Sequence, residues 1–185
     1  MGKLNIILGP MYSGKSTELL RINNKYKIKK NILIINHLSD NRYGENNVFT
    51  HNNEKHNSIS LNKLNDYNLF DKEYKEKIDI ILIDEAQFFN DLYDFSKDIV
   101  DKTDKIIYIF GLSGDYKREK FGQVLDLIPI ADNIKHLKAI CTNCEYDREA
   151  PFTLRKNKNT NQVLVGGLNE YNAVCRECWL SNNDN

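Results

Sequence analysis

The chain has 185 residues, 41% of them hydrophobic, which suits one domain of ordinary size with room for a small appendage. Its 26 basic side chains balance 26 acidic ones, so no polyelectrolyte surface draws it to nucleic acid or an anionic membrane. No apolar run approaches the ~20 residues of a membrane span, and "MGKLNIILG" lacks the small-residue cleavage site of a signal peptide, so the expectation is a cytoplasmic protein with neither membrane nor nucleic acid as partner.

Four short, nearly continuous apolar runs are rich in β-branched residues: "LNIIL" (4–8), "NILIIN" (31–36), "IDIILID" (78–84) and "KIIYIFG" (105–111). Such runs read as strands covered on both faces. "KSTELLRINNKYKIKK" follows the first, and "FNDLYDFSKDIVDKT" spaces Leu92, Phe95 and Ile99 at helical intervals. Strand, helix, strand predicts a parallel sheet with helices on both sides. The polar stretch 39–76 reads as loops and one weak helix, and "QVLDLIPIADNI" (123–134) as a last helix broken near Pro129. From about 138 cysteines, arginines and a Lys/Asn/Thr-rich loop set in. The expected division is 1–137 for the α/β domain, 138–180 for a metal-binding domain carrying a loop, and 181–185 for a disordered tail.

Residues Gly9, Pro10, Met11, Tyr12, Ser13, Gly14, Lys15 and Ser16 match G-x-x-x-x-G-K-[ST] in full, with Thr17 next. They stand after a buried strand and before a helix, where converging N–H groups and the helix dipole hold phosphate oxygens. Lys15 would reach the β- and γ-phosphates of a nucleoside triphosphate, and Ser16 would offer its hydroxyl to Mg²⁺. "IDIILIDEAQFF" ends its strand in Asp84 and Glu85. Asp84, on a strand expected beside the P-loop strand, is suited to the Mg²⁺ shell, and Glu85 to taking a proton from the attacking nucleophile. If that nucleophile is water, the chain is an ATPase; if an alcohol, a small-molecule kinase. Phe88, Phe89, Tyr116, Phe121 and Tyr171 offer flat rings for a heterocyclic base, should they converge, or else serve the core.

All four cysteines lie in two C-x-x-C pairs, Cys141/Cys144 and Cys175/Cys178. Two such knuckles close a tetrahedral site, and Zn²⁺ in a structural role is the favoured occupant over disulfides or paired redox motifs. The 30 residues between the pairs exceed ordinary ribbon spacing, so "PFTLRKNKNTNQVLVGGLNEY" (151–171) should project from the module, as a lid over substrate or as a surface hairpin. A zinc-ribbon nucleic-acid binder regulated by nucleotide is a third reading, weakened by the zero net charge.

In order, "GPMYSGKSTELLR", "DNRYG", "IDEAQFF", "GDYKREKFGQVLDLIPIAD", the two C-x-x-C pairs and "VLVGGLNEYNAVCREC" resemble the type II thymidine kinases over residues 3–180. The resemblance implies a P-loop NTPase-type parallel sheet with flanking helices, plus a small zinc-ribbon domain bearing a lasso-like lid. It implies transfer of the γ-phosphate of ATP, with Mg²⁺, to the 5′-hydroxyl of thymidine and of deoxyuridine. Residue by residue, Glu85 matches the general base. Asp40 and Arg42 match a D-x-R element near the phosphates. Met11, Gln87, Phe88, Leu112, Tyr116, Phe121, Thr153 and Tyr171 match nucleoside-binding positions, and Gln162, Val163, Leu164, Val165 and Gly166 a lid segment that reads the base through its main chain. The family is usually tetrameric, with many members inhibited by dTTP, and is cytosolic. Ser113, Tyr116 and Gln162 depart from common family residues; a tyrosine at 116 keeps the flat face but adds a hydroxyl that needs a partner.

Overall fold

The computed structural model describes residues 1–39, 47–49, 55–67, 77–144, 147–164, 166–167 and 169–183. In chain order the elements are β1 (Lys3–Gly9), α1 (Lys15–Tyr26), β2 (Ile32–His37), β3 (Asn47–Phe49), β4 (Lys55–Asn57), β5 (Ile59–Leu61), a 3-10 turn at Leu64–Asp66, β6 (Ile80–Ile83), a 3-10 turn at Ala86–Phe88, α2 (Leu92–Lys102), β7 (Ile106–Leu112), a 3-10 segment at Val124–Ile130, β8 (Asn133–His136), β9 (Ala139–Ile140), β10 (Glu149–Ala150), β11 (Phe152–Arg155), β12 (Tyr171–Val174) and α3 (Arg176–Asn183).

The four apolar runs form β1, β2, β6 and β7 at the centre of a six-stranded sheet ordered β5-β2-β6-β7-β1-β8, parallel throughout. Side chains alternate across it. Leu4, Ile6, Leu8, Ile81, Ile83, Ile107 and Ile109 pack with Leu92, Phe95 and Ile99 of α2 on one face. Ile7, Ile34, Ile80, Leu82 and Phe110 pack with Leu19, Leu20 and Ile22 of α1 on the other. The predicted two-sided α/β sheet is therefore the observed one.

Three local expectations are corrected. Residues 124–130 form a 3-10 segment, not a broken α-helix. Its buried Val124 and Leu127 are three apart, the repeat of a 3-10 turn, and Pro129 has no N–H for an α-helical bond. The end of that predicted helix, Asn133 onward, is instead the edge strand β8, started by Leu4 N–H donating to Asp132 Oδ2 (2.7 Å) and Asp132 N–H to Leu4 O (2.9 Å). At the C-terminus α3 runs through Asn183, so residues 181–183 continue as helix rather than tail. Buried Trp179 anchors it, and Ser181 and Asn182 bond back to the carbonyls of Glu177 and Cys178. Within 39–76 the described residues hold the β3–β4 hairpin, β5 and the turn at Leu64–Asp66.

From Ala139 the chain builds a small unit around its own apolar cluster. Hairpin β9–β10 and hairpin β11–β12, with α3, enclose Ala139, Cys141, Ala150, Leu154, Ala173, Val174, Cys175 and Trp179. Tyr12, from the loop after β1, packs against this cluster.

Candidate active site

β1 stops at Gly9, and the chain must turn at once into α1. A Cβ on Gly9 would lie 2.4 Å from Ser13 Oγ and 2.8 Å from the Leu137 carbonyl, so no larger residue fits. Gly14, at φ 84°, makes the left-handed step into the helix, and Tyr12 holds a left-handed φ of 62° without being glycine. Ser13 Oγ donates to Pro10 O (2.9 Å). Buried Lys15 folds along the inside of the loop, its Nζ donating to Gly9 O (3.2 Å) and Pro10 O (2.8 Å). The positive charge thus sits at the amino end of α1, where an anion is favoured. Thr17 faces solvent in the first turn. The outer side of the loop is tied to the small unit, because Met11 N–H donates to Thr153 Oγ1 (3.0 Å).

Asp84 follows β6, which is not beside β1 as expected; β7 lies between them. α1 spans the gap, since its apolar face covers Phe110 of β7 together with Ile80 and Leu82 of β6. Ser16 Oγ therefore donates to Asp84 Oδ2 at 3.5 Å. A hydroxyl and a buried carboxylate converging beside the loop fit a shared Mg²⁺ shell. The other oxygen, Asp84 Oδ1, accepts Glu85 N–H (3.0 Å).

Glu85 sits at φ 47°, ψ 41°. Its Oε2 accepts from Gln87 Nε2 at 2.5 Å, while Gln87 Oε1 accepts Leu112 N–H at 3.2 Å. Gln87 is buried, and both ends of its amide are used to brace Glu85 against the end of β7.

The aromatic positions fall into two groups. Phe88 meets Phe121 edge-on at 5.5 Å and His37 at 5.6 Å, with Phe89 edge-on to His37 at 4.7 Å. Tyr116 and Tyr171 gather round Arg155, whose guanidinium lies 3.7 Å over the Tyr116 ring and donates to Tyr171 Oη at 2.8 Å. Tyr171 Oη donates on to Leu164 O (2.7 Å). Burial pushes the Tyr171 phenol above its ordinary range while Arg155 pulls the other way, so the hydroxyl keeps its proton. Gln162 turns its side chain to Asp115 Oδ2 (2.8 Å) and Lys120 O (3.1 Å), so that side chain is already engaged within the protein. Leu164 and Gly166 are half-buried and Val163 is exposed. Asp40, Arg42 and Val165 lie outside the described residues.

The four cysteine sulfurs lie within 4.8 Å of one another. Cys144 Sγ is 3.6 Å from Cys175 Sγ and 3.5 Å from Cys178 Sγ. Four thiolates at ~2.3 Å from one tetrahedral ion stand ~3.8 Å apart, whereas a disulfide needs ~2.05 Å. The donor set thus fits a metal, and all four cysteines are free thiols. Burial opposes ionisation of Cys141, yet N–H groups of Cys175 and Asn143 hold its thiol down at about 6.

Arg155, which the sequence shows only as one residue of the projecting loop 151–171, carries no signal of its own there, and neither do His37 and Asp115. For Trp179 one signal existed: it is the chain's one tryptophan and follows a knuckle cysteine. Its indole N–H donates to Tyr116 O (3.0 Å), and the Arg118 guanidinium stacks 3.6 Å over its ring.

No helix among the described residues is long and apolar enough to cross a membrane. A sequence model of the family described as "Thymidine kinase" matches residues 2–179. A "Thymidine kinase" of Oryza sativa subsp. japonica is 43% identical over 185 residues, covering 97% of this chain and 66% of that plant protein, so the chain spans about two-thirds of it. "Thymidine kinase a" of Arabidopsis thaliana is 42% identical over 183 residues, covering 98% and 76%. The "Thymidine kinase" of Sheeppox virus (strain KS-1) is 40% identical over 180 residues, covering 97% of both chains. With phosphate loop, carboxylate pair and cysteine cluster all inside the matched span, the chain belongs to the thymidine kinase family.

Proposed function

We propose that this chain transfers the γ-phosphate of ATP to the 5′-hydroxyl of thymidine, and of deoxyuridine, giving the 5′-monophosphate and ADP. The observation that carries the reading is the Ser16–Asp84–Glu85–Gln87 chain of contacts, which runs from the amino end of α1 to a braced carboxylate. In this reading Glu85 takes the 5′-hydroxyl proton as the O5′–P bond forms and the bond to the ADP oxygen breaks. Lys15 and main-chain N–H groups of residues 12–17 hold the phosphates, and Arg42 stabilises charge on the transferred group. Mg²⁺, held by Ser16 and Asp84, would neutralise the β- and γ-oxygens. Phe88, Phe121, Tyr116 and Tyr171 enclose the base, and the main chain of 162–166 reads its edge.

The cysteine cluster supports Zn²⁺ in a closed structural site within a ribbon domain beginning near residue 138. Free thiols support a reducing, cytoplasmic setting. The edge strand β8 is wholly exposed, and Ile128, Ile134 and Ile140 are 41%, 47% and 58% exposed. These surfaces support the family's homotetramer, and dTTP, which carries both a thymine base and a triphosphate, is the proposed feedback inhibitor.

The test pairs a substrate panel with one substitution. Thymidine and deoxyuridine are expected to be phosphorylated in Mg-ATP, with deoxycytidine and purine nucleosides poor; equal rates would remove the specificity. Glu85→Gln is expected to lower kcat by about 10²-fold while ATP binding persists. ATP hydrolysis unchanged by any nucleoside would mean an ATPase instead.

A further inference from the structure

Arg155 closes β11 and is 7% exposed, an unusual place for a charge. Among the described residues no carboxylate neutralises it through a hydrogen bond; its partners there are carbonyls, a phenol and aromatic rings. Nη1 donates to the carbonyls of Asn159 (3.0 Å) and Asn161, and Nη2 to that of Gln162 (3.0 Å) and to Tyr171 Oη. The Tyr116 hydroxyl, the departure flagged in the sequence, finds its partner in the same loop, donating to Thr160 O at 3.0 Å. The Tyr171 hydroxyl in turn donates a hydrogen bond to Leu164 O. Thus the carbonyls of residues 159, 160, 161, 162 and 164 end on only three side chains, Arg155, Tyr116 and Tyr171, which themselves touch one another through the guanidinium.

Turning five nearby carbonyls inward fixes the orientation of the lid main chain up to residue 164. A planar guanidinium can do this because it offers several donors in one plane while its face stacks on a ring. Tyr116 is held from its other side by Trp179 Nε1, whose ring carries Arg118.

We infer that Arg155 is the positioning residue of the nucleoside site: with the Tyr116 hydroxyl as latch, it sets the lid that presents main-chain groups to the base. The inference rests on the proposed thymidine kinase activity. Arg155 acts through Tyr116, Tyr171 and the lid, and touches neither phosphate nor the reacting oxygen.

The test compares Arg155→Lys, which keeps the charge but loses the fork and the stacked plane, with Tyr116→Phe, which keeps the ring but loses the latch. Arg155→Lys is expected to raise the thymidine KM about tenfold and Tyr116→Phe about threefold, with ATP KM within about twofold of wild type. In parallel, trypsin cleavage after Lys156 and Lys158, both exposed in the lid, is expected to quicken in both variants. An unchanged thymidine KM in both variants overturns the inference. So does a rise shared equally by the two KM values with a lowered Tm, which would mark general loosening. Wild-type protein that turns over no thymidine would instead sink the kinase reading; unchanged lid cleavage would then still overturn the clasp.

Discussion

Glu85 holds a left-handed backbone at φ 47°, a conformation that costs an ordinary residue about 1 kcal/mol or more and persists only when neighbours impose it. Two side chains do so here: Asp84 Oδ1 takes the Glu85 N–H, and Gln87 holds the carboxylate. Gln87→Leu removes the donor to Glu85 and leaves the Leu112 N–H without its acceptor. We expect kcat to fall about tenfold or more with ATP KM little changed, and stability to fall by about 1–3 kcal/mol, read by kinetics and thermal unfolding. Sequence could single out Glu85 as a candidate base, because D-E after a buried strand and a full phosphate motif leave few other roles. It could not name Gln87 as a brace, since a glutamine two residues beyond a carboxylate meets it only when the backbone reverses, and the left-handed turn leaves no mark in residue type. Arg155 was hidden for a similar reason. Its charge reads as surface until β11 and the lid are seen to bury it.

α1 carries its acid in the first turn, where the helix dipole favours it. Glu18 accepts from Arg21 Nε (2.6 Å) and Nη2 (2.9 Å), and from Lys135 Nζ (2.9 Å) on β8, so one carboxylate joins the helix to the edge strand. The Arg21 hydrogen bond, with Lys135 adding to it against partial burial, brings the carboxyl from 4.5 down to about 2. A depressed folded-state value contributes stability above the unfolded value, and that contribution is lost as pH falls from 4.5 toward about 2. Because Arg21 and Lys135 are themselves 59% and 56% exposed, solvent screens the pair to about 1 kcal/mol. Glu18→Gln should therefore lower Tm by about 2–4 °C at pH 7, a difference that shrinks as the wild type is acidified through that window. A Tm gap independent of pH would assign the loss to packing. The central strands were legible as elements because burial on both faces forces continuous apolar runs. β5 and β8 were not, since edge strands of three and four residues bury one side at most and spell "ISL" and "NIKH". The strand order escaped the sequence as well: nothing in the runs says that β7 would enter between β1 and β6.

Across the molecule the cysteine cluster is wired to the phosphate loop. Thr153 and Tyr12 tie the small unit to the loop after β1, and Trp179, next to Cys178, carries Tyr116. The small unit's apolar cluster is modest and includes Cys141 and Cys175 themselves. With the proposed metal bound there, a unit of this size would draw much of its folding energy from that ion. Losing the ion should then disturb more than the lid. Chelation of reduced protein, or Cys144→Ser, is expected to lower Tm by more than about 5 °C and to shift the emission of Trp179, the chain's single indole. It should also raise both the thymidine KM and the ATP KM, because Met11 loses its anchor at Thr153 while Tyr116 loses its support at Trp179. That shared rise separates metal loss from Arg155→Lys, which is expected to move the thymidine KM alone. Returning Zn²⁺ to the chelated wild type should restore all three readouts together. Purified reduced protein with less than about half an ion per chain, or chelation that leaves Tm and both KM values where they were, would detach the cluster from the nucleotide site.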